Sequence, residues 1–328
     1  MRAETRFEHT ARNNHPAGAL AESGSREAGT DAKEPRAEVY FEHWNDGIAK
    51  HHPAETSPNT KNSCCASNHP KVFCYNTSMT TANDYDNWAA IRQKELKAGE
   101  KLPHKYVEKP AMQKLLPDLS GKKVLLLGCG TGEEAMLLKE YGATDMVGVD
   151  LSKESIRLAQ ESYPDVTFMV GDMHTLDFEN ETFDFIYSSL TVHYSSDPIQ
   201  VYTEVFRVLK PGGVFQFSIG HPVRWASERL TIDGASTKLL GFSEDPDKRK
   251  LYGTYSSFRQ YDETFPSGEV LRFWIGPPSM HFTLLRQARF AVEEFVETRA
   301  IEECKEVDEY YFIRNHEFPQ FCVFVAKK

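Results

Sequence analysis

The residues with the clearest chemical potential are five small ones, Gly128-Cys129-Gly130-Thr131-Gly132, which directly follow the apolar run Val124-Leu125-Leu126-Leu127. Glycines at such a spacing permit a tight strand-to-helix turn and let the backbone approach a ligand closely. A dinucleotide fingerprint would read G-x-G-x-x-G. Here the spacing is G-x-G-x-G, with Glu133 where the third glycine of that fingerprint would stand. An acid at that place opposes a pyrophosphate, so the loop suits a ligand without phosphates. Asp150 follows eighteen residues after Gly132, at the end of a second apolar run. A carboxylate there can accept from both hydroxyls of a ribose, or serve as a helix N-terminal acid ahead of an N-cap at Ser152. Asp172, in Gly171-Asp172-Met173, can accept from an adenine amino group or be an ordinary turn aspartate. Two histidines fall just past strand ends. His193, in Thr191-Val192-His193-Tyr194, can act as a general base, cap the next segment or position a substrate. His221, ahead of Pro222, can be a base, an acceptor ligand or a turn residue.

These residues need elements to hold them. Val124–Leu127 reads as a strand buried on both faces, and 145–151, 166–171, 183–190 and 214–220 read as four more. Helical periods over 85–97, 110–116, 133–141, 153–163 and 198–209 alternate with them. Alternation of this kind predicts an α/β fold with a doubly wound, mostly parallel sheet and a ligand at the carboxyl ends of its strands. The stretch 221–280 is too long for a simple connection and is rich in aromatics, among them Trp225, Tyr252, Tyr255, Tyr261, Phe273 and Trp274. It reads as an inserted cap that forms an acceptor pocket, or as an insertion with a small core of its own.

Residues 1–78 differ from the rest. They hold seven Leu, Ile, Val or Phe and six of the twelve histidines, too few apolar groups for a core. We expect a disordered leader there, dispensable for catalysis, with Met79 as an alternative start. Cys64, Cys65, His69 and Cys74 lie in it, but Lys61 stands where a zinc knuckle would put its first cysteine, and no metal site is expected. Residues 79–328 form the expected single domain. Of the net charge of −10, the leader contributes −1 and the remaining 250 residues −9. That acidity argues against nucleic acid and anionic membranes as partners. No run is apolar enough to span a bilayer, and six cysteines are too few for a disulfide scaffold; a cytoplasmic location is the expectation.

Five motifs in order, Val-Leu-Leu-Leu-Gly-Cys-Gly-Thr-Gly (124–132), Val-Gly-Val-Asp-Leu-Ser (147–152), Gly-Asp-Met (171–173), Phe-Asp-Phe-Ile-Tyr-Ser-Ser (183–189) and Leu-Lys-Pro-Gly-Gly-Val (209–214), resemble the class I S-adenosylmethionine (SAM)-dependent methyltransferase family. The resemblance implies a Rossmann-like seven-stranded sheet with one late antiparallel strand, for which Phe321–Val325 beside Ala291–Val296 is the candidate. It implies that Gly128, Gly130 and Gly132 line the methionine part of the cofactor. Asp150 would hold the ribose, Leu151 pack near the adenine, Asp172 and the Met173 backbone read the adenine edge, and Ser188 or Ser189 border the sulfonium. Tyr85 and Trp88 would belong to a helix closing over the cofactor. Where many relatives end a helix with Ala-Gly-Phe, this chain has Ala288-Arg289-Phe290. Asn/Asp-Pro-Pro-Tyr/Phe, the signature resembling nucleobase-amine methyltransferases, is absent after the fourth strand. The resulting expectation is methyl transfer from SAM to O, N or S of a small molecule. The alternatives are a non-catalytic SAM-binding interaction module and a nicotinamide-dependent oxidoreductase. The oligomeric state is not legible.

Overall fold

Every residue of the run Val124–Leu127 is at most 2% exposed, and its alternation sends side chains to two different cores. Leu125 and Leu127 join one cluster; Val124 and Leu126 join another on the opposite face. A strand with no wet face must be central and covered by helices on both sides. The computed structural model, which describes Asp86, Ala89, Gln93, residues 102–264 and residues 270–328, has this architecture. The expected leader 1–78, Tyr85 and Trp88 lie outside the described residues, all of which belong to the unit Val72–Lys328.

The main sheet has seven strands in the order β12-β13-β5-β4-β1-β2-β3. Its first five are β1 (Lys123–Leu127), β2 (Asp145–Asp150), β3 (Thr167–Val170), β4 (Phe183–Ser188) and β5 (Leu209–Gly220), paired in parallel. β13 (Phe321–Lys327) runs antiparallel to both β5 and β12 (Ala291–Glu297) and is the single reversed strand, as the resemblance implied. The fifth strand starts earlier than its apolar run. Lys210-Pro211-Gly212-Gly213 reads as a turn, yet it forms an irregularity inside β5, where the register with β4 slips between Phe183 and Phe185.

Helices α1 (Lys109–Lys114), α2 (Glu134–Glu140) and α3 (Lys153–Ser162) cover one face through Met112, Ala135, Leu138, Ile156 and Ala159. Helices α4 (Pro198–Val208) and α6 (Pro278–Gln287) cover the other through Val201, Tyr202, Val205, Leu284 and Leu285. Between β5 and α6 lie α5 (Pro222–Trp225) and three small antiparallel pairs: β6 (Glu228–Ile232) with β7 (Ala235–Leu239), β8 (Gly241–Phe242) with β9 (Leu251–Tyr252), and β10 (Arg259–Thr264) with β11 (Val270–Ile275). A last helix, α7 (Glu309–Glu317), precedes β13.

The helix boundary near residue 290 has a specific solution. α6 stops without glycine: Arg289 itself takes φ 73°, the Arg289 N–H donates to Arg286 O and the Phe290 N–H to Leu285 O. This is the bond pattern of a Schellman stop, with arginine in the left-handed position that glycine usually fills. Its guanidinium lies over the Phe206 ring, 5.1 Å from the centroid.

β13 is locked by aromatic packing. Phe324 is fully buried and stacks on Phe217 at 5.1 Å, with Phe295 at 4.9 Å and Phe282 at 5.2 Å. Truncation of such a ring leaves a cavity that close-packed neighbours fill poorly. Phe324→Ala is expected to lower the unfolding free energy by about 3–5 kcal/mol in urea denaturation; a loss under about 1 kcal/mol would contradict this packing.

Candidate functional site

The glycine loop is tied to β2 by its backbone. Gly128 N–H (2.8 Å) and Cys129 N–H (3.0 Å) both donate to Val149 O, and Gly130 N–H donates to Asp150 Oδ2 at 2.8 Å. The loop must double back for this, and Gly128, Gly130 and Gly132 all have positive φ. At Gly128 a Cβ would lie 2.1 Å from the Thr191 methyl, so the turn after β4 sits directly on the loop. At Gly130 a Cβ would meet nothing within 4 Å, so this backbone borders open space.

That space is a small cleft beyond the end of β1, lined by loop residues 128–130 together with His104, Glu133, Glu134, Tyr187 and Ser189. His104 belongs to a helical turn, His104–Glu108, of π type just before α1. Pro110, which has no N–H, explains why the regular helix cannot simply continue through it. Tyr106 O instead accepts from Ile301 N–H, and Lys109 N–H reaches back to His104 O. The turn aims His104 between two carboxylates: Nδ1 is 2.8 Å from Glu108 Oε2 and Nε2 is 3.1 Å from Glu134 Oε1. Lys109 Nζ also reaches Glu134 Oε1 at 3.1 Å. Glu108, fully buried, accepts at Oε1 from Ser189 (2.9 Å) and Ser218 (2.6 Å). A buried polar network thus joins α2, the N-terminal turn, the end of β4 and β5. Sequence reasoning missed it; the only signal was an acid-rich helix start, Glu133-Glu134, beside a glycine loop.

The other anticipated residues fall along the same rim. Asp150 Oδ1 accepts from Ser152 N–H at 2.9 Å, and Ser152 is the N-cap of α3, so the carboxylate orders both loop and helix start. Asp86 accepts from Ser152 Oγ (2.6 Å) and Glu154 N–H (3.1 Å), which holds its carboxylate at this corner. Leu151 is exposed. Asp172 follows β3, half-buried; its Oδ1 accepts from His174 N–H at 2.9 Å and lies 2.6 Å from His174 Nδ1. The His174 hydrogen bonds hold its carboxyl below the usual carboxylate range. Met173 packs partly buried against the larger core, Ser188 is buried, and Ser189 lines the cleft.

The two histidines separate. His221 is fully buried and turned toward the far edge of the sheet: Nδ1 accepts from Val223 N–H at 3.2 Å, capping α5, and Nε2 lies 3.1 Å from Glu297 Oε1 at the end of β12. Both ring nitrogens serve structure, and burial keeps the ring's pKa below the ordinary imidazole value against the pull of Glu297. The base role considered for His221 has no geometry here. His193 stays at the centre of the rim, in the turn Val192–Tyr194, where Nδ1 accepts from Gly220 N–H at 3.3 Å.

Comparison with known proteins agrees with this geometry. Residues 125–217 match the family described as a methyltransferase domain. The chain is 34% identical over 148 residues to an uncharacterised protein of Haemophilus influenzae, a match spanning 58% of that protein and 43% of this chain. It is 30% identical over 251 residues to a demethylmenaquinone methyltransferase of Lactococcus lactis, covering 68% of this chain and 89% of the relative. A solved structure of a SAM-dependent methyltransferase from Listeria monocytogenes, 25% identical, superposes with a TM-score of 0.56 over 67% of this chain and 96% of its own. The chain belongs to the class I SAM-dependent methyltransferase family, and SAM is the cofactor of that family.

The donor set of the cleft fits the methionine end of SAM, an ammonium and a carboxylate on one carbon: carboxylates of Glu133 and Glu134 stand beside the cationic His104 and the Gly130 backbone that lines the cleft. The cluster also sets a pH window. Burial alone would depress the His104 pKa, but Glu108 and Glu134 reverse this and raise it to about 9 from 6.5. Burial would raise Glu134, but His104 and Lys109 hold it at about 2, below 4.5. A raised histidine contributes stability that is complete below pH 6.5 and is lost as pH rises through about 9; a depressed glutamate contributes above pH 4.5 and loses it as pH falls through about 2. His104→Gln is therefore expected to cost about 3–5 kcal/mol near pH 6 and to flatten the alkaline decline of stability seen in the parent. Urea denaturation at a series of pH values checks this; an unchanged alkaline slope would contradict it.

Proposed function

We propose that the chain transfers a methyl group from SAM to an oxygen, nitrogen or sulfur of a small, flat, apolar or aromatic acceptor. The observation that carries this reading is the aromatic rim over the ends of β4 and β5. His193 lies 4.5 Å from the Tyr194 ring and 5.7 Å from Phe273, and Phe273 packs edge-on to Trp225 at 5.0 Å. Ala226, Phe273 and Ile275 form a buried cluster flanked by Tyr194, Trp225 and Tyr261. The insertion thus has a small core of its own and uses it to roof the turn that touches the glycine loop.

When bound, SAM supplies a methyl group already activated by a cationic sulfur. The chain's task is then to hold the acceptor in line and to exclude water. On this reading Gly128–Gly130, His104 and Glu134 hold the methionine end, Asp150 the ribose and Asp172 the adenine, with Ser189 at the floor between cofactor and acceptor. Because His193 Nδ1 accepts a backbone N–H, the neutral ring carries its proton on Nε2. With Nδ1 engaged and the proton on Nε2, the neutral His193 ring is not set up to deprotonate an acceptor. The name of the Lactococcus lactis relative, a demethylmenaquinone methyltransferase, supports an aromatic acceptor. The acidity of residues 79–328 favours a small molecule over a nucleic acid.

Transfer of labelled methyl from SAM into metabolite extracts by the full chain tests the reaction; label in a small-molecule fraction is expected. Label confined to nucleic acid or protein, or none at all, would sink it, the last in favour of a binding module. Asp150→Ala is expected to weaken S-adenosylhomocysteine binding at least about tenfold in calorimetry; unchanged affinity would remove Asp150 from the ribose.

A further inference from the structure

The sequence reading and the family motifs leave His174 without a role, yet it is the most completely constrained side chain at the adenine end of the rim. Its Nδ1 is 2.6 Å from Asp172 Oδ1, its Nε2 is 2.7 Å from Ser195 Oγ, and Gln200 Nε2 donates to its carbonyl at 3.1 Å. Ser195 Oγ also accepts from Asp197 N–H at 2.9 Å. An ionised Asp172 can only accept, so Nδ1 carries a proton toward it; on the neutral ring Nε2 is then an acceptor and takes the Ser195 hydroxyl. The result is a single chain of hydrogen bonds from Asp197 N–H through Ser195 and His174 to Asp172.

The arrangement has the connectivity of a serine–histidine–aspartate triad, but Ser195 is 1% exposed and its oxygen already accepts a backbone N–H. It cannot reach a substrate. What the chain of bonds can do is fix a carboxylate. The Asp172 side chain is 47% exposed, and a carboxylate that open would otherwise rotate freely in water. Engaging Oδ1 with both the N–H and the Nδ1 of His174 leaves Oδ2 in one defined place to accept a ligand donor. The anchor at the other end, Ser195, closes the Val192–Tyr194 turn that carries His193. The carboxylate is thereby referenced to the acceptor side of the rim.

We propose that His174 is a positioning residue for adenine recognition, presenting Asp172 Oδ2 to the exocyclic amino group of the cofactor through a relay anchored on Ser195. This rests on the reading of Asp172 as the adenine-binding acid. Discrimination between adenine and hypoxanthine is then a property of the relay, because hypoxanthine offers a carbonyl where adenine offers an amino group.

Calorimetry on the full chain with S-adenosylhomocysteine and with its inosine counterpart tests this. The parent is expected to prefer the adenine ligand. His174→Ala is expected to lose about tenfold in affinity for it, with the inosine ligand within about twofold of the parent, so that the preference collapses. His174→Asn, whose amide N–H replaces Nδ1–H, is expected to keep most of the preference, and Ser195→Ala to lose part of it. A merely structural role would weaken both ligands together, which overturns the proposal. So does a full preference in His174→Ala, or a loss in His174→Asn as large as in His174→Ala, while Asp172→Asn abolishes the preference. If Asp172→Asn itself retains the preference, the adenine assignment of Asp172 falls first, and the relay with it.

Discussion

The site depends on one carboxylate that bonds in two directions. Asp150 accepts from Gly130 N–H through one oxygen and from Ser152 N–H through the other, at 2.8 and 2.9 Å. The first bond holds the glycine loop in its left-handed course; the second sets the start of α3. The loop and the second strand are therefore a single rigid corner, reinforced by the two amides that share Val149 O. Positive φ at Gly128, Gly130 and Gly132 is the conformational condition for that corner, and only glycine meets it at low cost. Thr191 then packs where a Gly128 side chain would be, which transmits the corner to the turn carrying His193. The glycine loop and the turn that carries His193 are positioned by the same contact.

The buried charges at the end of β1 are a second organising feature, and they are costly ones. Taking two glutamates and a histidine out of water is favourable only when each finds partners, and a well-packed apolar cluster would often be as stable. The His104–Glu108–Glu134 network meets the requirement in part: Lys109 pairs with Glu134, and Ser189 and Ser218 donate to Glu108, while His104 Nδ1 and Glu108 Oε2 meet as an ion pair and, like Glu134 Oε2, are buried with no hydrogen bond. Its value is local: it holds polar side chains in fixed positions at the cleft that the proposed function assigns to the methionine end of SAM.

Much of the fold was legible because the sheet is buried on both faces. Runs such as Val124–Leu127 and Phe183–Leu190 announce such strands, and the five motifs located the loop, Asp150 and Asp172 at strand ends. What escaped notice has physical causes. The start of β5 at Leu209 was hidden because Lys-Pro-Gly-Gly is turn chemistry that here forms a bulge. The stop at Arg289 was obscured because a left-handed arginine is expensive and sequence patterns expect glycine. His104 and Glu108 pair at i,i+4, but the residues that make them a network, Glu134, Ser189 and Ser218, are distant in sequence. Of the readings open for His221, the turn residue fits its capping bond to Val223, while its contact with Glu297, from a strand 76 residues away, has no local signal. His174 looked like one more polar residue in a turn, since nothing local signals that Ser195 lies opposite its ring.

The central claim is that one rim, running from the His104 cleft past Asp150 to Asp172, receives the cofactor end to end. A crystal structure of the full chain with S-adenosylhomocysteine tests this most directly. The account predicts the amino-acid end beside His104 and Gly130, the ribose hydroxyls on Asp150 and the adenine amino group on Asp172. Ligand density elsewhere on the sheet, or a ribose out of hydrogen-bond reach of Asp150, would contradict it.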